Sequence, residues 1–275
     1  MFFQKFKIAK IFICVLLVLA CLPIAGCLHA EAHREFPTEE ERTEENKPVD
    51  TRPRVALTYD DGPHEKYMDT PSRTKLIVDE LDKYGYHATF FVVGNRVDGT
   101  AYNGGAAMVY AAEHGNEIGI HGYTHDVYFD DYDEKENPKG CTDTEYKYEM
   151  SKTLEAIQGK LPDYKVRVMR PVGGRITNAR IEESPYAIIG WSVDTFDWDL
   201  DEPYGDAEAI EEIVNNALKN VKDGDIILMH DIYNNTYEAT VIILQRLNEM
   251  GFNVVTASEL LGDNLQAGVL YESAP

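Results

Sequence analysis

Two histidines four residues apart, His121 and His125, close an apolar run that ends at Ile120. Two imidazoles within five residues of a strand end can converge on one cation. A second apolar run ends in Asp60-Asp61-Gly62-Pro63. Adjacent carboxylates raise each other's cost of ionisation unless a cation neutralises one of them. The economical division gives one to a metal and keeps the other free as a base. Two nitrogens and one oxygen leave a coordination position open for water, the pattern of catalytic zinc. An ion so held acts as a Lewis acid on a carbonyl and lowers the pKa of its water. Three further polar patches follow apolar runs: Arg170-Pro171-Val172-Gly173-Gly174, Asp194-Thr195-Phe196-Asp197-Trp198 and Leu228-Met229-His230-Asp231. They add an arginine, more carboxylates and a lone histidine, so the parts suit one metal site with an acid and a base beside it. Each patch taken singly has a plainer reading. Asp-Asp-Gly-Pro is turn composition, Arg170 could be a surface cation, Trp198 core, and His230 a satisfied strand-end histidine.

The elements that must position these groups alternate. Short runs rich in Val, Ile and Phe predict strands at 55–59, 87–93, 117–121, 166–169, 186–193, 225–229 and 253–256, as expected of buried parallel strands. Helical patterns lie between them. Thr70 before Pro71 suits an N-cap with proline at the first helical position, Thr142-x-x-Glu145 reads as a capping box, and Asp206 can cap a helix running through Leu218. Gly85, Gly115 and Gly251 stand where helix C-caps are expected. Strands interleaved with helices imply an α/β fold with a parallel sheet, and a barrel of this kind gathers its active site at the strand ends. The acidic stretch 126–140 is expected as a longer loop on the catalytic rim.

The chain has 275 residues and a formal charge of -22. Such a surface repels nucleic acid and anionic lipid. Lys5, Lys7 and Lys10 precede an apolar run at 11–20, followed by Ile24-Ala25-Gly26-Cys27. This is a targeting pattern, and its last four residues resemble the lipobox of bacterial lipoproteins, with Cys27 as the lipidated residue. An ordinary secretory signal, an uncleaved anchor, or a weaker site at Val18-Leu19-Ala20-Cys21 are the other readings; all export the protein. Residues 1–26 are therefore expected as a signal peptide, 27–53 as a charged tether and 54–275 as the catalytic domain. With Cys14 and Cys21 removed and Cys27 lipidated, Cys141 remains as a structural thiol and no intrachain disulfide is expected.

Thr58-Tyr59-Asp60-Asp61-Gly62-Pro63 resembles the opening motif of the polysaccharide deacetylases (carbohydrate esterase family 4), and the other four patches match that family's remaining motifs in order. The resemblance covers roughly residues 54 to 262. It implies a distorted (β/α)7-type barrel and metal-dependent removal of acetyl groups from sugars. Matched by position, Asp60 is implied as the base, Asp61, His121 and His125 as ligands of zinc or a similar divalent ion such as cobalt, and Arg170 as the residue orienting the base. His230 is implied as the acid that protonates the leaving amine and Asp197 as its orienting carboxylate. Trp198 and Leu228 are implied as walls of the acetyl pocket, with the backbone near Gly173 as an oxyanion donor. The substrate implied is peptidoglycan or a related N-acetylglucosamine polymer; acetylated xylan is the ester alternative. A monomeric lipoprotein at the cell surface is expected. A non-catalytic carbohydrate-binding lipoprotein and a zinc-storage protein are competing classes, but neither needs Asp60 and His230 together. Two positions depart from the family pattern. Gly122 stands where Ser or Thr is usual after the first histidine, with Thr124 as a possible substitute. The third motif lacks its usual aromatic and reads Arg170-Pro171-Val172-Gly173.

Overall fold

The computed structural model describes residues 50–65, 71–100, 104–201 and 203–275. The expected signal segment, Cys27, nearly all of the tether and Thr70 lie outside the described residues. The apolar runs become strands β1 (Arg54–Asp60), β2 (Thr89–Val92), β3 (Glu117–Ile120), β4 (Val168–Met169), β5 (Ala187–Ile189), β6 (Val193–Asp194), β7 (Ile226–His230), β8 (Asn253–Val255) and β9 (Leu270–Tyr271). All their pairings are parallel. The order is β6-β7-β1-β2-β3-β4-β5-β9, with β8 also on β1. β2, β3 and β5 are buried at every position, which is why their sequences read as continuous apolar runs and not as alternation.

The run 186–193, expected as one strand, is two. β5 pairs with β4 while β6 pairs with β7, six steps away in the strand order. In a flat sheet those strands would lie about 29 Å apart. Only Gly190, Trp191 and Ser192 join them, a path of at most about 14 Å. The sheet must therefore curl until its ends meet, with a seam between β5 and β6 in place of a ladder. This is the distorted barrel. β9, a two-residue strand at the outer edge of β5, has no signal in the sequence beyond Val269-Leu270-Tyr271 and was not expected.

The helices are α1 (Arg73–Asp82), α2 (Gly94–Val97), α3 (Gly105–Glu113), α4 (Asp143–Lys160), α5 (Asn178–Glu182), α6 (Ala207–Leu218), α7 (Asn234–Glu249) and α8 (Ala257–Leu261). The Thr142–Glu145 capping box opens α4, and the Asp206 side chain accepts from the N–H groups of Glu208 and Ala209 to open α6. α1 starts later than expected: its cap is Ser72, which accepts from the Lys75 N–H. Gly115 and Gly251 follow α3 and α7 at φ 79° and 82°, left-handed backbone that glycine adopts without penalty. Among the described residues no helix is long and apolar enough to cross a membrane.

Candidate active site

Parallel pairing puts β1 and β7 in one register, with Thr58 opposite Leu228 and Asp60 opposite His230. Because side chains alternate along a strand, Thr58 and Asp60 share one face of β1, and Leu228 and His230 one face of β7. β3 and β4 pair through Ile120 and Met169, so His121 and Arg170, the residues that follow, stand at the same depth. The polar patches therefore gather at one end of the barrel because the strands that carry them are aligned.

Asp61, His121 and His125 converge, their ligand atoms all lying within 4.8 Å of one another. Asp61 Oδ1 is 3.3 Å from His121 Nε2 and 2.9 Å from His125 Nε2. That oxygen is buried and accepts no hydrogen bond of acceptable geometry, an arrangement that suits a shared cation better than a proton. His121 Nδ1 faces the Arg170 carbonyl oxygen at 2.9 Å. A proton on Nδ1 satisfies that contact and leaves Nε2 with its lone pair toward the site. The donor set thus fits a divalent ion. Burial opposes ionisation of Asp61, but the two imidazoles outweigh it and hold its carboxyl well below the usual range. For His121 burial acts to lower the pKa, and the facing Asp60 and Asp61 charges overcome it and raise it. Asp61 and His125 both have positive φ, 69° and 65°, an uncommon backbone for residues other than glycine; Asp61 is buried and His125 is exposed at the rim.

Asp60 is held from the other side. Arg170 is fully buried and donates from one terminal nitrogen to Asp60 Oδ1 at 2.9 Å and to Thr58 Oγ1 at 2.8 Å. Its other nitrogens donate to the carbonyls of Ile189 and Gly190 at 3.0 and 2.7 Å, and the guanidinium lies 4.5 Å over the Phe91 ring. One side chain therefore orients Asp60 and ties it to the end of β5 and the residue that follows. Desolvation lowers the Arg170 pKa from its ordinary value, with the Asp60 charge acting against it. Asp60 Oδ2 faces His121 Nε2 at 3.6 Å.

His230 is oriented by Asp197, which is fully buried. Asp197 Oδ1 meets His230 Nδ1 at 2.8 Å, and Oδ2 accepts from the His230 backbone N–H at 2.8 Å and the Thr236 hydroxyl at 2.6 Å. This leaves Nε2 as the imidazole atom open for chemistry. Burial alone would lower the His230 pKa; the charge and hydrogen bond of Asp197 dominate and raise it to about 9.

The remaining expected residues are arranged around these. Leu228 is buried on β7, Trp198 is 47% exposed with its ring 6.2 Å from Phe196, and Gly173 is exposed in a short 3-10 turn at φ 58°. Cys141 is a buried free thiol pushed up to about 11 by desolvation, its sulfur 3.4 Å from an Arg180 terminal nitrogen. This is a packing role.

One group that the sequence did not single out organises the histidine loop. Glu149, buried on α4, accepts from the backbone N–H groups of Tyr123 and Thr124 at 2.6 and 2.8 Å and from the Thr124 hydroxyl at 2.9 Å. The Thr124 hydroxyl, the substitute expected for the one absent at Gly122, is thus engaged by Glu149 within the histidine loop. Gly122 itself holds φ 81°, and a Cβ there would stand 3.2 Å from Glu149 Oε2 and 3.3 Å from Phe129 Cζ. Glu149 has no local sequence signal because its partners lie 25 and 26 residues upstream.

Residues 47–186 match the polysaccharide deacetylase family. The chain is 34% identical over 221 residues to a peptidoglycan-N-acetylglucosamine deacetylase of Listeria monocytogenes, covering 80% of this chain and 41% of that protein. It thus spans about two fifths of the length of that relative. It is 32% identical over 213 residues to a peptidoglycan-N-acetylglucosamine deacetylase of Bacillus cereus, covering 75% of this chain and 87% of the other. Among solved structures it is similar to a family 4 acetyl xylan esterase of Clostridium thermocellum in complex with cobalt, with a TM-score of 0.65 and 26% identity over 81% of this chain and 99% of that one.

Proposed function

This chain belongs to the polysaccharide deacetylase family, and from that membership we propose that it hydrolyses N-acetyl groups from N-acetylglucosamine residues of peptidoglycan. The observation that carries the reading is the convergence of Asp61, His121 and His125 between two oriented proton-transfer groups, Asp60 on Arg170 and His230 on Asp197. Zinc is the proposed ion, with cobalt as the nearest alternative. Held by Asp61, His121 and His125, it would polarise the acetyl carbonyl and the attacking water.

Asp60 takes the proton of that water at the oxygen Arg170 leaves free. The guanidinium on Oδ1 keeps the carboxylate turned toward the site as it gains the proton. His230, protonated through its pairing with Asp197, donates from Nε2 to the departing nitrogen. The backbone N–H near Gly173 would stabilise the oxyanion, and Leu228 and Trp198 would wall the acetyl methyl. Export and anchoring through lipidated Cys27 complete the proposal, since the polymer lies outside the cell.

O-deacetylation of acetylated xylan is the second reading, favoured by the similarity to the Clostridium thermocellum esterase. The test is acetate release by the zinc-loaded protein, with and without chelator, from peptidoglycan, N-acetylglucosamine oligomers and acetylated xylan side by side. Chelator-sensitive release from the amide substrates is expected. Release from xylan alone would replace the amide reading with the ester one. No release from any of them with zinc bound would end both.

A further inference from the structure

The backbone at Gly173 is exposed beside the Arg170 patch, and a side chain from another loop lies against it. A Cβ built on Gly173 would stand 3.1 Å from Tyr128 Cε1. The ring is held rigidly. The Tyr128 N–H donates to the Lys139 carbonyl at 2.7 Å. Its neighbour Phe129 is fully buried, donates to the Arg175 carbonyl at 3.0 Å and accepts from the Thr177 N–H at 3.2 Å. The Arg175 guanidinium stacks 4.5 Å from the Tyr128 ring centre, and Lys139 Nζ approaches it to 5.8 Å. Arg175 is fixed in turn by Asp130 and Asn137.

This ring borders the chemistry. Tyr128 follows His125 by three residues. Phe129, beside it, reaches within 3.3 Å of a Cβ built on Gly122, in the loop that carries both histidines. Tyr128 is only partly buried even with Arg175 stacked on its ring, so part of the residue meets solvent at the rim. Sugars present C–H faces that pack on aromatic rings, and a ring already immobilised loses little conformational freedom on binding.

We infer that Tyr128 is a specificity-determining residue that receives the pyranose next to the one bearing the acetyl group. The inference rests on the proposed deacetylase reading and names the wall that a polymeric substrate meets on the Gly173 side. The same loop carries Asp126, Asp130, Asp131 and Asp133. Arg175 and Lys139 lie on the ring itself and Asp130 is paired with Arg175, so the charge around the ring is mixed and the recognition is of a pyranose C–H face.

The test measures calorimetric binding of N-acetylglucosamine and of its tetramer to the full-length, zinc-loaded protein, in an Asp60→Asn background that halts turnover. The tetramer is expected to bind about tenfold tighter than the monosaccharide. Tyr128→Ala removes that gain and leaves monosaccharide binding unchanged. Tyr128→Leu, which keeps the packing volume without a flat ring, removes it as well, and Tyr128→Phe keeps it. Undiminished tetramer binding by the Ala or Leu variant overturns the inference, as does a chain with Tyr128 intact that shows no preference for the tetramer. Acetate release by the chain with Asp60 intact reports separately on the deacetylase reading.

Discussion

Asp60 and His230 are register partners across the parallel β1–β7 pair, so the proposed base and the proposed acid stand on neighbouring strands at one depth. Each is oriented from its own side, Asp60 by Arg170 and His230 by Asp197. Neither orienting group touches the other's partner. The two halves of the proton-transfer machinery can therefore be disabled separately.

Asp60→Asn is expected to abolish acetate release while zinc stays bound, because Asp61, His121 and His125 remain. Loss of two or more orders of magnitude in kcat is the expected scale, about that of removing a general base. Metal content by mass spectrometry alongside kinetics checks this, and joint loss of zinc and activity would show that base and ligand had been assigned the wrong way round.

His230→Ala should fold, bind zinc and turn over far more slowly. The pH profile is the finer probe. The raised pKa of about 9 means that His230 carries its proton below that value, so activity falls as pH rises through it. The stabilisation from pairing with Asp197 runs the same way: it is complete below the ordinary histidine value of about 6.5 and is lost as pH climbs through about 9. A bound cation opposes the protonated form, placing the alkaline limb of the zinc enzyme at or below about 9. Asp197→Asn should move that limb toward the ordinary value. An unmoved limb would remove His230 from the acid role.

Arg170→Lys keeps a charge but cannot reproduce a fork that meets Thr58, Asp60, Ile189 and Gly190 together. Stability should fall by about 1–3 kcal/mol, the scale of leaving buried acceptors without their donor, measured by urea unfolding. Activity should fall in the surviving folded protein as well. A variant with normal stability would show that the fold does not depend on this fork of hydrogen bonds.

Glu149→Gln replaces an acceptor of three donated hydrogen bonds with a weaker one. Zinc affinity is expected to drop about 10- to 100-fold, as for other groups that orient metal ligands through hydrogen bonds, with little change in kcat at saturating zinc. Competitive chelator titration reads it. Equal affinity would mean that the loop keeps its geometry without Glu149.

Cys27→Ser should shift the protein from the membrane fraction to the medium if Cys27 carries the lipid anchor. Retention in the membrane would point to an uncleaved segment instead.

Much of this was legible before any coordinates. A metal site could be read from two imidazoles four residues apart and a paired carboxylate, each after an apolar run, but which aspartate is the ligand was implied only by the resemblance to the polysaccharide deacetylases. The capping residues Thr142 and Asp206 were readable because a cap is made within three residues of itself. Ser72 was missed because Thr70-Pro71 offers the same local chemistry two residues earlier, and only the docking of α1 decides between them. In that docking the Ser72 hydroxyl donates to the His64 carbonyl at 2.6 Å.

Local composition determined which residues could do chemistry, that the strands would be buried and parallel, and where several helices begin. Four features belonged to the tertiary structure alone. The run 186–193 divides because its two halves join strands at opposite ends of the sheet, and continuous hydrophobicity carries no record of that. Glu149 reaches the histidine loop, and Tyr128 reaches Gly173, across 25 and 45 residues of chain. Arg170 reaches Asp60 and the Ile189 and Gly190 carbonyls together only once the strands stand side by side. The physical reason is common to all four: caps and turns are short-range and leave their mark in adjacent residues, whereas a strand's pairing partner, a buried hydrogen bond or a packed ring depends on what the fold brings from elsewhere.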